Sequence, residues 1–224
     1  MKIFNILLIL QIVDSYNLCL VGGSSGLGRE LIYQSLQNDN KILALTNNPD
    51  KIKIPYRGGG LNSKIDSKID SKIDSKIDSK IDSKIESKNL YIDTYDNYNK
   101  YSFDNIVFTT GAQPFEKDYS DVITYKILSS ENLNLKNVVL ISAHGVNDSL
   151  KDSNLGIQIM SNWYLQDAYR AKNIQEELVK DYCKKNNIKS IIYRPKALSY
   201  GANIYSIKSR EKFAEEILTA LCLI

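Results

Sequence analysis

A single histidine, His144, in 224 residues leaves no basis for a histidine-rich metal centre. The three cysteines, Cys19, Cys183 and Cys222, are odd in number, far apart and set among apolar neighbours. That spacing suits neither a zinc site nor a disulfide framework, and it predicts buried thiols. Long hydrophobic runs are missing as well. No apolar stretch reaches the roughly 20 residues needed to cross a bilayer, so a multi-pass membrane protein is excluded and no span is expected. Charge of one sign is scarce, with a formal net charge of +3. Without a basic stripe carrying interleaved aromatics, nucleic acid is not an expected partner. What is present, 43% hydrophobic and 25% charged residues, is the composition of a globular chain able to bury a core.

Two segments stand apart from that core. From Ser63 to Lys88 the chain repeats Ser-Lys-Ile-Asp, a four-residue unit too short for a solenoid. As a helix it would place Lys four residues from Lys and Asp four from Asp, so neighbours on a face repel. One isoleucine in four buries too little to offset the entropy of ordering. Residues 57–88, with Arg57-Gly58-Gly59-Gly60 as lead-in, therefore read as an expanded, solvated low-complexity insert. The repeat holds seven lysines and six acids, so the balance elsewhere, 22 basic and 20 acidic residues, is unchanged in kind. The other segment is residues 1–15. Lys2, the apolar run Ile3–Val13 and the small groups that follow resemble a signal peptide; the alternative is an extra N-terminal element packed on the domain. The first reading implies the secretory pathway or an organelle reached through it, the second a cytoplasmic protein. Without both segments 183 residues remain, one domain's worth.

Within residues 16–224 short apolar runs alternate with helical patterns. Asn17–Val21, Lys41–Thr46, Asn89–Asp93, Asn105–Thr109, Asn137–Ser142 and Lys189–Tyr193 read as six strands. Helices are predicted after Gly28, over Tyr119–Asn132, Tyr164–Asn186 and Ser209–Leu221. Continuously apolar strands alternating with helices mean a parallel sheet covered on both faces, a doubly wound α/β domain of Rossmann type.

The strongest chemical signal is Gly22-Gly23-Ser24-Ser25-Gly26-Leu27-Gly28, between the first strand and the first helix. Gly22 permits the turn, Gly26 lets a pyrophosphate approach the backbone, and Gly28 lets helix and strand pack closely. Free amides and the positive end of the helix then face an anion. Glycines at the head of a βαβ unit in this order point to a dinucleotide.

The sequence resembles the short-chain dehydrogenase/reductase superfamily, and in particular its small atypical NAD(P)-binding branch. Val21–Arg29 looks like the Gly-x-x-x-Gly-x-Gly cofactor loop, and Thr109-Thr110-Gly111-Ala112 like the motif after the fourth strand that lines the cofactor. The resemblance implies that Asp93 lies near the adenine and that Ser142 stands where the family has its active-site serine. It also implies a ribose-binding role for Lys172, which with the following Glu176-Glu177 and with Arg194-Pro195 looks like the Lys, Glu, Arg-Pro pattern of that branch. Ser209–Ala214 looks like the turn that opens the family's last helix.

One departure bears on the chemistry. The family's tyrosine stands four residues before the lysine, where its phenol pKa is lowered from about 10. Here that position is Ala168, and Tyr169 is three before Lys172, turned by about 100° around the helix. Tyr164 is about 12 Å away along the axis. Tyr169 is therefore either the displaced acid/base group or a packing residue. Ser142 is either the active-site hydroxyl or a turn cap. His144 reads as a hydrogen-bonding loop residue, and with no Gly-x-Ser-x-Gly elbow a Ser-His hydrolase is disfavoured. Asn47-Asn48 ends the second strand, where an acid would hold the 2′-hydroxyl of NAD. Its absence favours NADP over NAD, with Arg29 or Lys51 as phosphate partners. The expected protein is an NAD(P)-dependent oxidoreductase acting on a small carbonyl or conjugated acceptor; the rival is a non-catalytic cofactor-binding redox sensor or assembly factor.

Overall fold

The computed structural model describes residues 15–49, 52, 89–111, 117–130, 133–150, 165–195, 198–199 and 208–224. The leader up to residue 14, the insert 57–88, Lys51, Ala112 and Tyr164 lie outside them. The chain runs β1 (Ser15–Val21), α1 (Gly26–Gln37), β2 (Ile42–Leu45), β3 (Leu90–Asp93), β4 (Ser102–Phe108), α2 (Ser120–Leu128), β5 (Asn137–Ile141), α3 (Gln166–Asn186), β6 (Lys189–Tyr193), β7 (Leu198–Ser199), β8 (Lys208–Ser209) and α4 (Arg210–Ala220). Six strands form one sheet in the order β3-β2-β1-β4-β5-β6, with every neighbouring pair parallel. This is the doubly wound order expected from the alternation of elements.

The strands read as unbroken apolar runs because both faces of the sheet are covered. Leu18 and Leu20 of β1 join Ile42, Ala44, Val107 and Val139 in a core closed by α1 and α4. Cys19 and Val21 point the other way, to Leu43, Leu45, Ile106 and Phe108, beneath α2 and α3. Ser25 caps α1 by accepting the Gly28 amide, and Ser209 caps α4 by accepting that of Lys212. Asn187 closes α3 in the left-handed conformation, with Lys184 and Lys185 in its last turn, where cations suit the helix dipole.

Several boundaries differ from the sequence expectation. β1 begins at Ser15, not Asn17, and Ser15 pairs with Ser102. β4 likewise starts three residues before Asn105, because Phe103 is buried beside Tyr16 although polar Ser102 and Asp104 flank it. α2 spans Ser120–Leu128 rather than Tyr119–Asn132, and a 3-10 turn over Tyr95–Lys100 was not anticipated. Cys19 and Cys183 are buried as predicted, but Cys222 is exposed. It lies beyond the end of α4 at φ +56°, while Leu221 before it takes the inward position.

Candidate functional site

The strand order reverses between β1 and β4, and a crevice outside the carboxyl ends of those strands is where ligands bind in such sheets. The turn leaving β1 is shaped for close approach. Gly22 has φ +95°, and a Cβ there would lie 2.9 Å from both Thr109 Oγ1 and the Thr110 nitrogen. A Cβ on Gly28 would lie 2.5 Å from the Gly22 carbonyl oxygen. The Ser25 hydroxyl accepts the Gly28 amide at 2.9 Å and donates to Thr109 Oγ1 at 3.2 Å. Thr109 in turn bonds the Gly22 carbonyl at 3.0 Å. This threonine, read from the sequence only as the first residue of the motif after the fourth strand, ties the glycine turn to β4.

The first amides of a helix have no intrahelical partner. Among the described residues those of Ser24, Gly26 and Leu27 donate to no acceptor, whereas those of Ser25 and Gly28 donate to the Gly22 carbonyl and to Ser25 Oγ. The Leu27 side chain is buried in the core. Three open amides at the positive end of a twelve-residue helix fit a diphosphate.

On the β2 and β3 side, Thr46 donates to Ser24 Oγ at 3.2 Å, and Asn47 is exposed just beyond. Asp93 ends β3 beside Leu45. Its carboxylate accepts the Thr94 amide, Asn97 Nδ2 and the Tyr101 hydroxyl, at 2.6 to 2.8 Å. Burial alone would raise its pKa, but these hydrogen bonds and Lys100 lower it. Any adenine contact would share a carboxylate already engaged by its own turn.

On the other side, Lys172 is buried, with 7% exposure. Its ammonium donates to the Thr110 carbonyl, to that of Ile141 at 3.1 Å and to Gln175 Oε1 at 2.8 Å. Its three N–H groups thus meet acceptors at the ends of β4 and β5 and on α3. Burial pushes the Lys172 pKa down to about 8, against the opposing pull of Asp118 and Glu176. Gly111 lies beside it, with space for a Cβ at 3.7 Å from Lys172 Cε.

Tyr169 donates its hydroxyl to the His144 carbonyl at 2.8 Å, and burial raises its pKa. That direction is opposite to the one an acid/base phenol at neutral pH requires. Glu176, one turn beyond Lys172, has a fully buried side chain and receives Arg194 through Nε at 2.8 Å and Nη2 at 2.5 Å. Asn147 from the loop after β5 donates to it at 2.8 Å. Burial would raise the Glu176 pKa, yet Arg194 and Asn147, aided by Ser142, bring it below the ordinary value. Ser142 ends β5; its hydroxyl is buried and forms no hydrogen bond of sound geometry among the described residues. The loop after β5 is joined to that after β6 by the His144 amide on the Pro195 carbonyl, at 3.2 Å. Ser142, Tyr169 and Lys172 thus gather at the carboxyl end of β5, but no hydrogen bond joins any two of them. Among the described residues no cluster of His, Cys, Asp and Glu could hold a metal, and no helix is long and apolar enough to cross a membrane.

The chain shares its fold with several solved structures. The oxidoreductase ylbE from Lactococcus lactis is similar at TM-score 0.59 and 15% identity, over 92% of this chain and 84% of that one. ChuY, an anaerobillin reductase from Escherichia coli O157:H7, is similar at 0.58 and 12%, over 92% and 89%. Vestitone reductase from alfalfa is similar at 0.56 and 13%, over 92% and 73%. Neither a protein-family model nor a curated protein matches the sequence.

Proposed function

We propose that the chain is an NAD(P)-dependent oxidoreductase of the atypical short-chain dehydrogenase/reductase type, acting on a small carbonyl or conjugated acceptor. One observation carries the reading: the open amides of Ser24, Gly26 and Leu27 at the head of α1, beside the reversal of strand order. The named activities of ylbE, ChuY and vestitone reductase, which share the fold, agree with it. In this reading Gly22, Ser24, Ser25, Gly26, Leu27 and Gly28 cradle the pyrophosphate. Asn47 and Asp93 face the adenosine half, and Thr110, Gly111 and Pro195 border the nicotinamide half. With no acid at the exit of β2 to hold a 2′-hydroxyl, NADP is preferred to NAD.

A bound nicotinamide would supply a hydride for the acceptor carbon, leaving the chain's own residues to deliver a proton to its oxygen. Ser142 offers the acceptor oxygen its hydroxyl, which forms no hydrogen bond of sound geometry among the described residues. Tyr169 serves as proton donor only after leaving the His144 carbonyl. Lys172 acts from behind, as the buried cation at the ends of β4 and β5. A second reading, a cofactor-binding protein without turnover, is favoured by the engagement of both Tyr169 and Lys172 elsewhere.

Fluorescence titration of the full chain with NADPH and NADH tests the common premise. NADPH is expected to bind more tightly. Gly26→Asp should weaken uptake by about tenfold or more, the factor that ~1.4 kcal/mol of like-charge repulsion produces. Equal uptake by parent and variant would overturn the cradle.

A further inference from the structure

We propose that Gln175 is a positioning residue for the cofactor crevice: it holds the Lys172 ammonium on the carbonyls that end β4 and β5, and so fixes the Thr110–Gly111 turn. The inference rests on reading that crevice as a nicotinamide dinucleotide site.

Gln175 is fully buried, on the face of α3 that meets α2 and the sheet. Its amide has only one workable orientation. An ammonium can only donate, so Oε1 must face Lys172, at 2.8 Å. Nε2 is then directed to Thr124 Oγ1 at 2.7 Å and Thr110 Oγ1 at 3.3 Å. Thr110 is gripped twice, through its side chain by Gln175 and through its carbonyl by Lys172. Gln175 therefore acts on the turn both directly and through the lysine. Thr110 follows Thr109, the residue that closes the glycine turn, so the two sides of the crevice meet at this dipeptide.

The ammonium needs three acceptors, and strand geometry supplies two. β4 and β5 present only carbonyls to it, at Thr110 and Ile141. The charged groups facing it among the described residues are Asp118, at the entry to α2, and Glu176 on α3. Glu176 is held by Arg194 and Asn147, and Asp118 accepts the Ser120 amide. Without Gln175 one N–H would be left unpaired in a buried site, which disfavours the charged form and loosens the hold on Thr110.

Two variants test this. Gln175→Met fills the space without an acceptor, and Gln175→Glu keeps the shape and adds charge. The Lys172 Cε resonance, followed by NMR against pH in isotope-labelled protein, needs no cofactor. The parent is expected to titrate near pH 8, Gln175→Met about one pH unit lower, a tenfold loss of proton affinity, and Gln175→Glu higher than the parent. Below its midpoint, Gln175→Met should also bind NADPH about tenfold more weakly, as expected for one lost hydrogen bond to a charged group. A merely structural glutamine would lower the melting temperature and leave the Lys172 midpoint in place, which would overturn the proposal. So would a midpoint that moves while NADPH binds as in the parent. A midpoint that responds to both variants, in a parent that takes up neither NADPH nor NADH, would uphold the Gln175–Lys172–Thr110 linkage and overturn the cofactor reading alone.

Discussion

Gly28→Ala isolates what the turn between β1 and α1 demands. Alanine is the better helix former, worth about 1 kcal/mol over glycine in a helix interior, and Gly28 is the third residue of α1. On propensity alone the substitution should stabilise. The added Cβ, however, would stand 2.5 Å from the Gly22 carbonyl oxygen, 2.9 Å from Ser25 Oγ and 3.0 Å from Gly23 Cα. The first and last of these are backbone atoms, and the first is roughly 1 Å inside van der Waals contact. Relief requires α1 to move off β1, an overpacking that costs typically about 1–3 kcal/mol. A net loss of about 1–2 kcal/mol is expected, which moves a urea midpoint down by roughly 0.5–1 M at the usual slope for a chain of this size. The moving helix carries the Gly26 and Leu27 amides with it, so NADPH affinity should fall too. Gly111→Ala is the matched contrast. Its Cβ meets only Lys172 Cε at 3.7 Å and Nζ at 4.0 Å, so stability should stay within about 0.5 kcal/mol. If Gly28→Ala proves as stable as the parent, or more so, helix and strand do not pack as described.

Two further outcomes follow from the β5 side of the crevice. Tyr169→Phe removes the donor to the His144 carbonyl and should cost about 1 kcal/mol in urea unfolding. If Tyr169 is the proton donor, turnover with a panel of carbonyl substrates should also drop about 100-fold or more; undiminished turnover would exclude it from that role. Lys172→Met should change the pH dependence of stability. In the folded protein Lys172 titrates near 8, below the ordinary value of about 10.4. Between those values the unfolded chain binds the extra proton, so stability contributed through this group is lowest below pH 8 and rises with pH across the window. The difference between parent and Lys172→Met should therefore grow in the parent's favour from pH 8 to about 10. Buried Cys19 and Cys183 oppose that rise in each protein and cancel in the difference. A flat difference would mean that Lys172 is not held as a buried ammonium.

Much of the sheet was legible because its demands are one-dimensional. A strand buried on both faces must be apolar at every position, and runs such as Asn137–Ser142 show this without any knowledge of their neighbours. The helices between them carry their own start signals, such as Ser25 before α1 and Ser209 before α4. Errors fell where a residue's partner lies far away in sequence. Ser102 and Asp104 look like loop until Phe103 is seen packed against the start of β1. Cys222 reads as core because Leu221 and Leu223 flank it, yet a positive φ after α4 turns it outward.

The same distinction divides the site. The glycine turn was readable because lack of a side chain is itself the requirement: Gly22 and Gly28 are where a Cβ would collide. What a lysine or tyrosine does depends on which acceptors surround it, and the sequence does not carry that. Lys172 and Glu176 show the consequence. One turn apart on α3, they fill different gaps, Lys172 between the ends of β4 and β5, Glu176 between the loop after β5 and Arg194 after β6. A buried carboxylate persists only when paired and hydrogen-bonded, which gives a physical reason for a glutamate on this helix to be matched by an arginine at the exit of β6. Between these two anchored charges lies Ser142, whose buried hydroxyl helps keep Glu176 ionised yet forms no hydrogen bond of sound geometry among the described residues. In the proposed reading the oxygen of a bound acceptor would give that hydroxyl the well-aligned partner it lacks among the described residues.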